Sequence, residues 1–233
     1  MSKLNKLKLV TVVGTRPEII RMSQIIAKFD YFFDHTFIHT GQNYDYELNE
    51  IFFKELKVRK PDFFLEVADK NLGKTIGSII SNSYDIFLKL KPDALFVLGD
   101  TNSSLCEIPA KRLKIPIFHY EAGNRCFDLN VPEEINRKIA DHIADVNLTY
   151  TTNSKKYLIQ EGFRKDFVIS VGSPMKEILD TYKKNIIESK ILSNNGIIII
   201  HRHRKELDIF PKSFYLIDEK KYGISKIIFG SYS

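Results

Sequence analysis

Charged side chains stand where several apolar runs of this sequence end. Arg16 and Glu18 follow the run "LKLVTVV", Asp100 follows "ALFVLG", and Glu121 follows "IPIFHY". Carboxylates donate and accept protons, and arginine binds anionic groups, so these residue types can perform acid–base chemistry on a charged ligand. A charge at the end of a buried strand costs free energy unless it is paired, so the position of Glu121 indicates that something binds it. We therefore predict a functional site where these runs end.

Some of these residues also have purely structural interpretations. Asp100 precedes a predicted helix and has a side chain that commonly caps one. Glu133 and Glu134 follow Pro132 and would form a favourable acidic first turn of a helix. For these residues both interpretations stay open. Glu121 is neither a cap residue nor an obvious surface position, which favours a functional role.

Strand-like runs alternate with helical patterns along most of the chain, and these elements must position the charged residues. Strands are predicted at residues 7–13, 35–41, 94–100, 115–121, 146–151 and 167–172. Helices are predicted from Pro17, at 45–56, at 72–91, from Thr101, from "NVPEEINRK" and through Leu158. The stripe of the helix at 72–91 is formed by Leu72, Ile76, Ile79, Ile80, Ser83 and Phe87. This alternation predicts an α/β fold with a parallel sheet covered on both faces, in which ligands bind at the carboxyl ends of the strands.

Composition places the chain among ordinary globular proteins. Its 233 residues are 43% hydrophobic and 27% charged, which fits one large or two small domains. Two cysteines, Cys106 and Cys126, are too few for a disulfide framework, so a cytoplasmic location is expected. The basic, then apolar N-terminus lacks the length and cleavage site of a signal peptide. No apolar run approaches the roughly 20 residues of a membrane helix, so we expect no membrane insertion.

The formal charge of +6 does not indicate a nucleic-acid partner. Residues 183–233 hold ten basic and five acidic residues, so most of the excess lies there and the preceding part is almost balanced. Aromatic residues are not interleaved with basic ones as a single-strand binder requires.

Five motifs occur in order: "VVGTRPEII", "GDTNSS", "HYEAGNR", "VPEEINRKIADHIAD" and "VGSPMKEIL". Together they resemble the non-hydrolysing UDP-N-acetylglucosamine 2-epimerase family, from residue 8 to about residue 180. The resemblance implies a glycosyltransferase-B type fold of two Rossmann-like halves with the active site in the cleft between them. It further implies an N-terminal Rossmann-like domain at 1–172, a linker helix region at 173–195 and a truncated C-terminal Rossmann-like domain at 196–233.

The resemblance also implies a reaction and roles for individual residues. The family inverts C2 of a UDP-2-acetamido sugar by eliminating UDP and adding it back from the other face. On the matching motifs, Asp100, Glu121 and Glu133 are the proton-handling carboxylates. Arg16 of "GTRPE" matches the arginine that meets the diphosphate. Arg21 stands where the family usually has a lysine, so a planar guanidinium group replaces a compact ammonium group in substrate binding.

The sugar is a separate question from the reaction. "TGQNYDYELNE" and "EAGNRCFD" depart from the motifs of glucosamine-type members and look more like the capsule and O-antigen branch. Members of that branch epimerise UDP-2-acetamido-2,6-dideoxy-L-talose to UDP-N-acetyl-L-fucosamine. UDP-N-acetylglucosamine is the first expectation, and this sugar is the alternative.

No cofactor or metal is expected. The first strand ends in "VVGTRP" with a single glycine, whereas an NAD-dependent epimerase would show G-x-G-x-x-G there. His201 and His203 would face the same side of a strand, but no third ligand stands at metal-binding spacing.

The C-terminal region raises a second hypothesis. "GIIIIHRHRKELD" predicts the first strand of the second half, where His203 matches a family catalytic histidine and Arg204 a substrate-binding arginine. A strand, a helix and another strand are expected in this region, too little to bury a core of their own. Because the family's second half supplies most nucleotide contacts, the chain is either an active epimerase, an inactive remnant or half of a split enzyme. A homodimer and a complementing C-terminal half are the partners that the resemblance implies. A glycosyltransferase of the same fold is disfavoured by the ordered "GTRPE", "EAGNR" and "PEEINR" set.

Overall fold

The computed structural model describes residues 6–42, 53, 56–188, 196–205, 207–208, 210 and 214–232. The chain divides into two compact units, Met1–Ile178 and Leu179–Ser233. The predicted helix at 45–56 lies almost entirely outside the described residues.

The first unit is a seven-stranded parallel sheet with helices between its strands. Its strands are β1 (Lys8–Val13), β2 (Asp34–His39), β3 (Phe63–Phe64), β4 (Ala94–Leu98), β5 (Ile117–Tyr120), β6 (Val146–Thr149) and β7 (Val168–Ser170). Its helices are α1 (Arg16–Phe32), α2 (Leu72–Leu90), α3 (Glu107–Arg112), α4 (Pro132–Ile143) and α5 (Thr152–Gln160), with 3₁₀ turns at Asn102–Cys106 and Lys165–Phe167. A further helix, α6 (Met175–Glu188), contains the boundary between the units. The predicted α/β class and parallel sheet are confirmed.

The strand order is β3-β2-β1-β4-β5-β6-β7. The chain winds outward from β1 in one direction through β2 and β3, and from β4 in the other direction through β7. The order therefore reverses between β1 and β4, and open α/β sheets bind ligands at the carboxyl end of such a switch point.

Alternating side chains of the strands divide the core into two clusters, one on each face of the sheet. Val10 and Val12 of β1 pack with Ile79 and Phe87 of α2 on one face. Leu9 and Val13 pack with α1 on the other face, where the buried helix residues are Ile19, Met22 and Ile26. The predicted stripe of α2 is confirmed at Ile79, Ser83 and Phe87, but Leu72 is 59% exposed because it is the first residue of the helix and extends past the core.

The second unit contains the strands β8 (Ile198–His203), β9 (Phe214–Tyr222) and β10 (Ser225–Tyr232). They form an antiparallel sheet in the order β8-β10-β9. The predicted strand at "GIIIIHRH" is confirmed, but the helix expected after it is wrong. Residues 214–222 and 225–232 instead form a hairpin around Gly223, which has a φ of 53°. Gly230 is packed against Phe214 so closely that a Cβ there would lie 2.0 Å from its ring.

Candidate active site at the carboxyl edge of the sheet

The loop from β1 into α1 is tied to the loop after β4 by Glu18. One carboxylate oxygen, Oε2, accepts hydrogen bonds from the Gly14 N–H at 2.9 Å and from the Thr15 hydroxyl at 2.7 Å. The other, Oε1, accepts one from the Thr101 hydroxyl at 3.0 Å. Burial raises the pKa of Glu18 to about 7, although these hydrogen bonds oppose the shift. Arg16 begins α1 beside this loop and is partly exposed.

The end of β4 presents Asp100 at the switch point. Gly99 leaves the strand with a φ of 78°, and the following 3₁₀ turn is capped by Thr101, whose hydroxyl accepts from the Ser103 N–H at 3.3 Å. The interpretation of Asp100 as the helix cap is therefore wrong. Its Oδ2 instead accepts a hydrogen bond from Arg137 Nε at 2.7 Å.

Glu121 follows β5 in an unusual backbone conformation. Its φ is 75°, in the left-handed region that costs a non-glycine residue on the order of 1–3 kcal/mol. Its side chain forms an ion pair with Arg21 of α1, and Asn124 Nδ2 lies 3.5 Å from its other oxygen. Burial raises the pKa of Glu121, Asp100 adds to the shift and Arg21 opposes it. A Cβ added at Gly99 would lie 3.1 Å from Glu121 Oε2, so the ends of β4 and β5 bring these groups together.

The first turn of α4 contains both Glu133 and Glu134, so the first-turn interpretation of their positions is confirmed. Glu133 is exposed. Glu134 is buried, and its Oε2 accepts from the Cys126 N–H at 3.0 Å and from Arg137 Nη1 at 3.1 Å. Burial would raise the pKa of Glu134, but these hydrogen bonds outweigh it and lower the pKa. Arg137 thus joins Glu134 to Asp100.

A buried charge network lies behind the loop that contains Glu121. His119 Nδ1 is 2.9 Å from Asp141 Oδ1, and Arg125 Nη1 donates to Asp141 Oδ2 at 2.7 Å. Arg125 also donates twice to Glu161, each time at 2.7 Å. The side chains of Arg125 and Asp141 are fully buried. The motif "EAGNR" is therefore fastened to α4 and α5 by its last residue.

Sequence reasoning missed Arg137, His119 and Arg125 as residues of this region. Arg137 stands three residues after Glu134, a spacing at which a helix brings two side chains together, so an ion pair between them was predictable. His119 stands two residues before Glu121. Its partner Asp141 lies on α4, 22 residues later in the chain, and no local sequence pattern indicates that contact.

His203 and Arg204 belong to the second unit. His203 ends β8 and is exposed, and its Nδ1 accepts from the Lys205 N–H at 3.2 Å. Arg204 donates to the Gly223 carbonyl at 3.1 Å. Their proposed roles in catalysis and substrate binding stay predictions.

Two further findings concern metals and membranes. Within the described residues no three His, Cys, Asp or Glu side chains are grouped closely enough to hold a metal ion. None of the described helices has the length and apolar character needed to cross a bilayer.

The family model "UDP-N-acetylglucosamine 2-epimerase" matches residues 27–217. A UDP-N-acetylglucosamine 2-epimerase homolog of Methanococcus maripaludis is 36% identical over 96% of this chain and 65% of its own length. The UDP-2,3-diacetamido-2,3-dideoxy-D-glucuronate 2-epimerase of Pseudomonas aeruginosa is 32% identical over 86% of this chain and 58% of its own.

Solved structures agree with the sequence relatives. The UDP-N-acetylglucosamine 2-epimerase of Rickettsia bellii is 54% identical, with a TM-score of 0.77 over 81% of this chain and 50% of that one. The Methanocaldococcus jannaschii enzyme, solved with UDP-GlcNAc and UDP, is 36% identical, with a TM-score of 0.72 over 81% and 52%. The galactosyltransferase WaaB, 12% identical with a TM-score of 0.52 over 71% and 45%, shares the fold alone.

The chain thus spans about half to two thirds of the length of these relatives. The family model covers most of the chain, and the R. bellii structure matches its fold. The chain belongs to the UDP-N-acetylglucosamine 2-epimerase family.

Proposed function

We propose that the protein is a non-hydrolysing UDP-N-acetylglucosamine 2-epimerase. The observation that supports this most is the pair of carboxylates that follow β4 and β5, next to the switch point. Asp100 and Glu121 end neighbouring strands, Glu121 is held at a φ of 75°, and each carboxylate is paired with an arginine. Strained backbone that surrounding structure maintains is concentrated at functional sites.

The proposed reaction breaks two bonds and re-forms them. A base removes the proton from C2 while the bond from C1 to the UDP oxygen breaks, which leaves 2-acetamidoglucal and UDP. UDP then adds back to C1 and an acid delivers a proton to the opposite face of C2. No electrons are exchanged with an external group, so the cycle needs no redox cofactor.

The carboxylates Asp100, Glu121 and Glu133 are the proposed proton-handling groups. Burial raises the pKa of Glu121, which suits a group that must hold and release a proton near neutrality. Glu133 stands at the N-terminal end of α4, where a helix favours a negative charge.

Arg16 and Arg21 are the proposed partners of the departing diphosphate. Both belong to α1, whose N-terminal end also favours an anion. The ion pair between Arg21 and Glu121 links leaving-group binding to the acid–base residue. His203 and Arg204 of the second unit are proposed to act in catalysis and substrate binding, and a homodimer or a complementing C-terminal half is the proposed partner.

The natural sugar is a UDP-2-acetamido sugar. UDP-N-acetylglucosamine is the first candidate because that name is shared by most of the relatives. The likeness to the diacetamido-glucuronate epimerase favours testing a modified sugar as well, and UDP-2-acetamido-2,6-dideoxy-L-talose is the other alternative. The product is proposed to supply cell-surface polysaccharide such as capsule or O-antigen from the cytoplasm.

The test is deuterium exchange followed by proton NMR. The chain is incubated in D₂O with each of these three UDP-sugars, first alone and then with the separately expressed second half of the R. bellii relative. Loss of the C2 proton signal and growth of the epimer confirm the reaction and identify the sugar. Absence of exchange in every arm, from folded chain and with the full-length R. bellii protein active in parallel, would overturn the proposal and favour an inactive remnant.

A further inference from the structure

Both ring nitrogens of His119 face hydrogen-bond acceptors. Nδ1 lies 2.9 Å from the carboxylate of Asp141, and Nε2 lies 2.8 Å from the carbonyl oxygen of Gly99. A carbonyl oxygen has no proton to give, and a neutral imidazole carries only one N–H. Asp141 is ionised and has no proton to give either, because Arg125 Nη1 and the Gly123 N–H donate to it and its pKa is lowered although burial opposes this. One of the two ring contacts would therefore bring two acceptors together unless the ring carries a proton on both nitrogens. The side chain is 1% exposed, so no solvent relieves the conflict.

We propose that His119 is an imidazolium at neutral pH that positions Asp100 and Glu121 in the active site. This inference rests on the proposed epimerase function. His119 is a positioning residue, because it acts on Asp100 through Gly99 and on Glu121 through its charge.

The positional effect follows from the contacts of Gly99. Its N–H donates to the Tyr120 carbonyl at 2.9 Å, and its carbonyl accepts from His119. Both polar backbone groups of Gly99 are thus held by β5, the strand that leads into Glu121. Gly99 has a φ of 78° and is followed directly by Asp100. Holding the backbone of Gly99 in place therefore sets the direction in which the backbone enters Asp100.

The electrostatic effect follows from the charges around the ring. Asp141 of α4 faces Nδ1, Glu107 of α3 lies nearby, and Glu121 follows two residues later on the same segment. The positive ring favours the ionised form of Glu121 and opposes the effect of its burial. Arg125 shares Asp141 with the ring and is itself paired with Glu161.

Glu107 completes the charge balance. It is fully buried, and within the described structure neither of its carboxyl oxygens has a hydrogen-bond partner. Burial raises its pKa to about 8, so Glu107 is largely neutral at pH 7. The two cations, His119 and Arg125, are then balanced by the two anions, Asp141 and Glu161. Burial of His119 alone would lower its pKa, but the hydrogen bond and the charge of Asp141 outweigh it and raise the pKa above its ordinary value.

The first test measures the protonation state of the His119 ring by NMR and does not depend on catalysis. The chain is labelled with ¹⁵N-histidine, and His119→Gln identifies the signals of His119 in the wild-type spectrum. We expect both ring nitrogens of His119 to carry protons from pH 6 to pH 8. A neutral ring at pH 7 overturns the proposal.

The second test measures the effect of positioning on kcat, KM and the pH profile. It uses whichever sample shows C2 exchange, the chain alone or the chain with the added second half. We expect His119→Gln to lower kcat by on the order of 100-fold with little change in KM, because the carboxylates are misplaced. We also expect the acid limb of the kcat/KM pH profile to move to higher pH, because Glu121 loses a neighbouring cation. His142→Gln, an exposed change on α4, is the matched control and should leave both unchanged.

The outcomes separate this inference from the proposed function. A wild-type protein without exchange overturns the function, while the NMR result still decides the charge of His119. A wild-type protein with exchange and a His119→Gln variant with unchanged kcat and pH profile overturn the positioning role. If the variant does not fold, the ring signals of His119 are assigned in the wild type by through-bond correlation to its backbone, and the ring protonation remains the deciding measurement.

Discussion

At the scale of single residues, Glu18 couples pH to stability. Its carboxyl pKa is raised from 4.5 to about 7 by burial, so folding favours the protonated form. The stability that it contributes is complete below the ordinary pKa and is lost as pH rises through about 7. We expect Glu18→Gln to remove this dependence, because the amide stays neutral and can still bond Gly14 and Thr101.

Urea unfolding of both proteins between pH 4.5 and 8 measures the effect. The free energy of unfolding of the wild type should fall by about 3 kcal/mol relative to Glu18→Gln across that range. Parallel curves for the two proteins would contradict the assignment.

Arg21 lowers the pKa of Glu121 through their ion pair. Removing the cation with Arg21→Ala should raise the pKa of Glu121, because burial and Asp100 then act unopposed by it. We expect the acid limb of the kcat/KM profile for C2 exchange to shift to higher pH, with a loss of about tenfold or more at pH 7. Lys28→Ala, which breaks the exposed pair of α1 with Glu177, is the control and should change neither.

Sequence alone predicted Glu121 as a candidate site residue, because a charge at the end of a buried strand is costly without a partner. It could not decide between roles for Asp100, since the cap is formed by Thr101 one residue later. It also could not find His119, whose partners are the Gly99 carbonyl and a carboxylate on α4. Such partners depend on tertiary structure and leave no local pattern.

At the scale of elements, the parallel strands were predictable because burial on both faces makes them continuous apolar runs. The error in the second unit has an equally local cause. The segment "KKYGIS" contains the glycine of a tight turn between Tyr222 and Ser225, which is a hairpin signal rather than a helix signal.

The loop after Glu121 depends on a close approach at Gly123. Its φ is 77°, and a Cβ there would lie 2.4 Å from the Ser154 carbonyl oxygen on α5. We expect Gly123→Ala to cost roughly 2 kcal/mol or more beyond backbone strain, because backbone atoms must move.

Gly162→Ala is the matched control for that change. Gly162 also has a positive φ, of 97°, but nothing lies within 4 Å of its added Cβ. It should therefore show only the backbone strain, about 1–2 kcal/mol. Thermal or urea unfolding compares the two variants, and equal losses would show that the contact with Ser154 is unimportant.

At the scale of the whole molecule, the second unit is held by a charge cluster as well as by its small apolar core. Asp208 forms ion pairs with Lys226, which is 5% exposed, and with Arg202. Removing one partner from a buried pair costs about 3–5 kcal/mol. We expect Asp208→Asn to unfold or strongly loosen this unit, which amide hydrogen exchange in β8 and β10 would detect.

Lys220→Ala provides the control in the same sheet. Lys220 pairs with Asp218 at 3.9 Å, and both side chains are more than half exposed. Exposed pairs contribute at most about 1 kcal/mol, so exchange in β8 and β10 should not change. Similar amide hydrogen exchange in both variants would show that the buried ion pair stabilises the sheet no more than the exposed pair does.

The position of β1 has a consequence for how the chain is made. β1 lies between β2 and β4, and Leu9 pairs with Ala94, so this interior strand must wait for its partner β4, which is encoded far downstream. At roughly 5–20 residues per second, that wait is on the order of 10 s on the ribosome. During this time the apolar strand has only β2 beside it, which exposes an edge that can pair with other chains. Nascent chains that stop before β4 should therefore be aggregation-prone, and those that have passed it should be protected.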